Sequence, residues 1–296
     1  MNRYYLYSSI ICICLIFYLY SRLLNYAYPV EGYTEKKIIK NKKIILTITT
    51  FLDFKKEDKW EALCNGIDSI LKYHSNIDSF IDFYVVNEYS SDPIKDWNSI
   101  VKERYPFVNF VQKSEDLKGQ GESLNLILNL IKTYTYWIHW EEAWYCDRTF
   151  IFEAIQIMDS TNITQLQFTK ELVDSNNNKY LTHWEDKIDM KTCHRMPNDN
   201  NYCILEYSIN NYPKINLDKD FSHDDWMNVK WPLYSIRPSI NRVSDYNFGK
   251  FLIKPEYWPL KFEIDFGERW MRKNHVKGIF IEGSVTRKPT HVSTYK

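Results

Sequence analysis

The chain has 296 residues, enough for one large α/β domain or two small ones. Its 38 basic and 38 acidic residues cancel, so the basic surplus or stripe of a nucleic-acid binder is missing and no nucleic-acid partner is expected. The six cysteines form no C-x-x-C pair, which argues against a zinc cage.

In chain order the first feature is apolar. Residues 4–20 hold no charge and are bracketed by Arg3 and Arg22. About 20 apolar residues cross a bilayer as a helix, and tyrosines near both ends suit the interface. No small-x-small cleavage site follows Arg22, so residues 1–24 read as an uncleaved anchor rather than a signal peptide. Residues 25–42 are polar, charged and without periodicity, as in a stem. Five lysines between positions 36 and 43 would keep that side cytoplasmic by charge counting, yet long domains translocate despite such charge. The sequon Asn162-Ile163-Thr164 fits a lumenal domain. The expectation is a single-pass membrane protein with its large domain lumenal (Golgi or ER), or carried on a host or viral membrane. Cys193 and Cys203 close a small loop by a disulfide if that compartment is oxidising, or remain buried thiols.

The soluble part alternates strand and helix. Residues 43–51 (KIILTITTF) form a β-branched apolar run of strand length. Trp60, Leu63, Ile67, Ile70 and Leu71 then recur at helical spacing. A second strand covers 80–86 and ends in the polar run NEYSSDP, a helix covers 97–105, and a short strand covers 108–111. Gly119-Gln120-Gly121 opens an apolar-periodic helix through Leu124, Ile127, Leu128 and Ile131. The fourth strand, 136–140, runs into Glu141 and Glu142. Four strands alternating with helices predict a mostly parallel sheet flanked by helices, with right-handed crossovers. Acids at the carboxyl end of such a strand stand where these sheets bind ligands, and two of them can hold a hard divalent cation. The alternative is a solvated glutamate pair.

Several function classes lose their motifs. There is no G-x-G-x-x-G after the first strand, no G-x-x-x-x-G-K-[ST] and no G-x-S-x-G. Dinucleotide binding, P-loop NTPase chemistry and serine hydrolysis are thereby disfavoured.

The first strand, the NEYSSD loop, GQGESLN opening a helix and a strand ending in Glu141-Glu142-Ala143-Trp144 together resemble the nucleotide-sugar half of GT-A glycosyltransferases. The likeness is to the family-2-type enzymes and their viral or eukaryotic relatives, and it covers residues 43–167. It implies a GT-A-like α/β catalytic domain over 43–296, with a donor half to 167 and an acceptor half from 168. It further implies that Thr49, Thr50, Asn87, Glu88 and Asp92 face the nucleotide, and that Gly119, Gly121, Ser123 and Asn125 lie near the sugar nucleotide. Glu141 and Glu142 would face a Mn²⁺ or Mg²⁺ ion and the diphosphate, joined by His291 near the C-terminus. Ala143 stands where the family often carries a further acid, which leaves a single-carboxylate site, a water-bridged one or a lost metal.

Beyond the fourth strand and its two acids the chain reads less clearly. Residues 150–158 look helical and 163–169 extended, while 174–179 is a polar loop and 186–219 an irregular insertion or lid. The run WPLYSIRPSI at 231–240 and the step FEIDF at 262–266, before a charged helix at 268–273, resemble the acceptor half of these transferases. There an acid can serve as catalytic base. Glu263, among Phe262, Ile264 and Phe266, has an apolar setting that would raise its pKa. Asp265 and Asp225 are the second choices, and ordinary helix-start acids are the plain alternative. Arg237, Arg242 and Arg269 are candidates to hold phosphates. The resemblance thus implies sugar transfer from a nucleotide donor to a hydroxyl on a glycan, protein or lipid. The rival readings are an inactive glycan-binding or structural membrane protein, and a nucleotidylyltransferase.

Overall fold

A computed structural model describes residues 42–53, 57–89, 96–168, 193–194, 201–205, 234–253, 261–273, 275–280 and 284–287. The anchor 1–24, nearly all of the stem, the loop 174–179, Asp92, Asp225 and His291 lie outside these residues. Among the described residues no helix is long and apolar enough to cross a membrane.

The chain enters through β1 (Ile44–Thr50), which is buried along its whole length. A strand covered on both faces has no polar side to alternate with, so it reads as a continuous apolar and threonine run. Helix α1 (Glu57–Tyr73) follows, and its Leu63, Ile67 and Ile70 are fully buried. Strand β2 (Asp82–Asn87) pairs parallel to β1. Helix α2 (Trp97–Arg104) is capped by Asp96, whose carboxylate accepts the Ser99 N–H at 3.1 Å. Then come β3 (Val108–Gln112), α3 (Gln120–Leu130) and β4 (Tyr136–Glu141). The order β3-β2-β1-β4 is parallel throughout.

The second half joins this sheet in a different way. After β5 (Trp144–Cys146), α4 (Ile151–Ser160) and β6 (Gln165–Gln167) come the short strands β7 (Cys193–His194) and β8 (Tyr202–Leu205). Strand β9 (Ser239–Arg242) then inserts antiparallel between β4 and β6. Helix α5 (Lys261–Met271), β10 (Lys277–Phe280) and β11 (Val285–Arg287) complete the order. The main sheet continues β4-β9-β6-β10-β8-β7, and β11 pairs with β5 in a separate ribbon.

Three expectations change here. The insertion 186–219 contributes β7 and β8 to the sheet edge. The extended segment 163–169 narrows to three residues of regular strand. The helix expected at 268–273 begins at Lys261, so Glu263 and Asp265 stand inside it rather than before it. The stripe Phe262, Phe266 and Trp270, spaced by four, drives that helix: all three are buried in a core shared with Leu124, Trp137 and Phe251. Phe251 and Phe266 stack at 3.8 Å between ring centroids. A second aromatic group, Phe150, Phe168 and Phe280, ties α4 to the β6 and β10 region.

Candidate active site

Parallel register brings the carboxyl ends of β1, β2 and β4 together. Thr49 pairs with Val86 and with Glu141, and Thr50 pairs with Asn87. This is the edge of an α/β sheet where ligands bind.

At its centre stands Glu141. One oxygen accepts the Gln120 side-chain amide at 3.2 Å and the other accepts the Trp144 indole N–H at 3.0 Å. Burial pushes this carboxyl above its ordinary range, and the Glu142 charge pushes the same way, while the Trp144 hydrogen bond and the charges of Arg287 and Arg237 oppose it. Glu142 is differently placed. Its carboxylate is ion-paired with Lys59 of α1 at 2.9 Å, with both side chains largely out of solvent. The two adjacent acids therefore do not act as a bare pair: Glu142 is neutralised by a lysine, and Glu141 keeps neutral donors.

A divalent cation fits Glu141 on chemical grounds. A carboxylate offers about four lone-pair positions, and two neutral donors leave the others open. Mg²⁺-type sites are commonly built from one or two carboxylates plus substrate phosphates. Among the described residues no three His, Cys, Asp or Glu side chains cluster, and Ala143 is buried and supplies no ligand. Phosphate oxygens would have to complete the shell.

The second half contributes Glu263, which is in the first turn of α5, 4% exposed and close enough to feel the Glu141 charge. It accepts the Ile236 N–H at 2.9 Å. Burial drives its pKa up to about 7, and the Glu141 charge adds to the rise. The Ile236 N–H, Arg237 and Lys277 pull the other way. The segment that carries Ile236 and Arg237 is held by Gln165 of β6. That side chain donates to the Ser235 carbonyl at 2.8 Å and to Asn241 Oδ1 at 2.9 Å, and accepts the Ser235 N–H at 3.1 Å.

Several residues expected to face the nucleotide have structural partners instead. Asn87 is fully buried: its carbonyl oxygen accepts the Leu52 N–H at 2.7 Å and its amide donates to Gln112 at 2.8 Å. Asn125 exchanges two hydrogen bonds with the Phe251 backbone, at 3.0 and 2.8 Å. Glu88 and Ser123 both receive Lys113. Gly121 admits Ile253 and Phe262, since an added Cβ would meet Ile253 at 2.9 Å. Thr50 differs from these: its hydroxyl is buried with no hydrogen-bond partner among the described residues, which leaves it available to a ligand at the strand ends. Thr49 donates to the Trp140 carbonyl at 3.4 Å.

The second-choice acid Asp265 is engaged by Arg269 one turn on, at 2.9 and 3.0 Å. Arg269 also holds the Lys250 carbonyl, and Arg242 donates to the carbonyls of Met158, Thr161 and Ile163. Both arginines therefore brace the fold, and of the three named earlier Arg237 alone bears on the two acids. His139 packs edge-on against Trp137 at 5.4 Å, and burial lowers its pKa to about 3. Sequence reasoning missed Lys59, Gln120, Lys113 and Arg287. Gln120 was signalled by its place between two glycines; nothing local marks the others.

Comparison with protein-family models and with curated proteins found no match. Solved structures do match in fold. TarS of S. aureus, residues 1–349, superposes with a TM-score of 0.50 at 13% identity, over 82% of this chain and 59% of that one. Its complex with UDP-GlcNAc gives 0.51 at 12% identity, over 86% and 60%. The chain thus spans about three-fifths of the length of that TarS fragment. At this identity the likeness establishes the fold alone: mixed α/β with a mostly parallel central sheet, as in GT-A-like domains.

Proposed function

We propose that the protein is a glycosyltransferase that moves a sugar from a nucleoside diphosphate donor to an acceptor hydroxyl. The observation that carries this reading is the pair Glu141 and Glu263. Both acids, which come from separate halves, have raised pKa values, and the charge of the partly buried Glu141 adds to the rise at the buried Glu263. A base poised near neutrality, within the field of an acid suited to a cation, is what such a transfer uses. The shared fold with TarS, a protein whose structure holds UDP-GlcNAc, supports a nucleotide-sugar donor.

In this reading Glu263 takes the acceptor's proton as the hydroxyl attacks the anomeric carbon, and configuration inverts in one displacement. The Ile236 N–H orients that carboxylate. Glu141 would hold the cation, with Gln120 and Trp144 fixing its rotamer. When bound, the cation neutralises charge on the departing diphosphate. Arg237 and Arg287 add positive charge on the same side. The Thr50 hydroxyl is the remaining donor-side contact. Residues 1–24 would anchor the domain to a membrane with the domain lumenal, and removing residues 1–25 should release a folded soluble protein.

The test is thermal stabilisation by a panel of UDP- and GDP-sugars with and without Mn²⁺, followed by transfer assays on each binder. Donor binding strengthened by Mn²⁺, with transfer abolished in Glu263→Gln, is the expected result. Binding of free glycans with no nucleotide response would instead make the chain a glycan-binding module.

A further inference from the structure

We propose that Lys113 and Glu88 are a buried positioning pair that sets the donor loop, acting through Gly119 and Gln120 on Glu141. The proposal rests on the nucleotide-sugar reading above. Lys113 directly follows β3, and its side chain is 0% exposed. Its ammonium donates to both Glu88 oxygens at 2.9 Å, to the Gly119 carbonyl at 2.8 Å and to Ser123 Oγ at 2.9 Å. Glu88, just past the end of β2, also accepts the Gly119 N–H, at 3.1 Å to each oxygen. One charge therefore grips the carbonyl of Gly119 and the opposite charge grips its amide.

The residue held this way is the turn into α3. Gly119 is the N-cap, with φ 105° and ψ 153°, a backbone region that suits glycine. The next residue, Gln120, donates to Glu141. A shift at Gly119 is thus one residue away from the carboxylate assigned to the cation. A buried ion pair contributes little net stability, because removing two charges from water offsets their attraction. Burial pulls the Lys113 pKa down while its contacts with Glu88 hold it up. What such a pair supplies is one fixed geometry, and here that geometry is the approach of the GQG turn to the acid. Glu88 accordingly shapes the donor site without touching the nucleotide.

The test uses the full chain with Glu88→Gln, Lys113→Met, the double variant and Gly119→Ala. Three quantities are read: thermal midpoint, amide hydrogen exchange across residues 119–123, and affinity for UDP or GDP with Mn²⁺. Each single charge variant should lower the midpoint, because it strands the partner's charge. The double variant should recover most of the midpoint, yet keep exchange at 119–123 faster and nucleotide affinity weaker by about tenfold or more, a change of roughly 1.4 kcal/mol. Gly119→Ala covers the case in which the double variant does not fold. Nothing lies within 4 Å of the added Cβ, so its strain falls on the turn alone, and the same weakening of nucleotide is expected. If exchange and affinity return to wild-type values together with the midpoint, or if Gly119→Ala leaves affinity unchanged, the pair serves only the fold. If the wild type binds neither nucleotide, the transferase reading fails, and hydrogen exchange alone decides whether the pair holds the turn.

Discussion

The two halves of the domain fix their acids by different means. In the first half Glu141 ends β4, and parallel pairing with Thr49 of β1 sets its position. Wherever β1 and β4 form, that carboxylate arrives at the sheet edge. In the second half Glu263 is held by the N–H of Ile236, 27 residues earlier in the chain. The segment carrying that N–H is itself held by Gln165 of β6, 70 residues away from Ser235. One acid is placed by strand register and the other by a relay of buried polar groups. The first should tolerate changes in its surroundings; the second should respond to substitutions far from it.

The largest expected effect breaks the second arrangement at its end. Glu263→Gln should lower transfer by about 10²–10⁴-fold with donor affinity unchanged, measured as rate beside donor dissociation constant. Next, Glu141→Gln should cost roughly 10²-fold in rate and also weaken donor binding in Mn²⁺, because this acid serves the donor side. Lys59→Met sharpens the contrast within the acid pair. It leaves Glu142 buried without its cation, so urea denaturation should show a loss of roughly 3–5 kcal/mol in stability. A Glu142 that is simply solvated would show no such loss. The smallest effect is expected at Asp265→Asn. Its pair with Arg269 is partly exposed and lies along one helix face, worth about 0.3–0.5 kcal/mol, and transfer should hardly change.

The same contrast explains what the sequence made legible. Strands β1 to β4 and helices α1 to α3 follow long periodic runs, and the acids Glu141 and Glu142 stand at a strand end that the pattern locates. Short pieces escaped. Strands β7 and β11 have two and three residues, too few for any period to show. The early start of α5 was signalled by Phe262, Phe266 and Trp270 at four-residue spacing, but the alternation in FEIDF masked it. The roles of Glu88, Ser123 and Asn125 were illegible for another reason. A polar residue at a strand end looks the same whether it meets a ligand or a buried lysine, and Lys113 gave no local sign of being underneath.

The central claim is that Glu263 is the base and that its burial tunes it. Its pKa is raised in the folded chain from 4.5 to about 7, so the folded state binds the proton more tightly between those values. Stability from this group is therefore fully present below pH 4.5 and falls as pH rises toward 7, by about 3 kcal/mol in all. Activity runs the opposite way, because the base must be deprotonated. The direct measurement is kcat/KM for transfer from pH 5 to pH 9, in the wild type and in Glu263→Gln. The account predicts a wild-type rise with a midpoint at or below about pH 7, because a cation at Glu141 offsets the charge that helps raise Glu263, and no such rise in the residual activity of the variant. A variant that keeps the same rise at comparable rate would assign the proton to another group and contradict it.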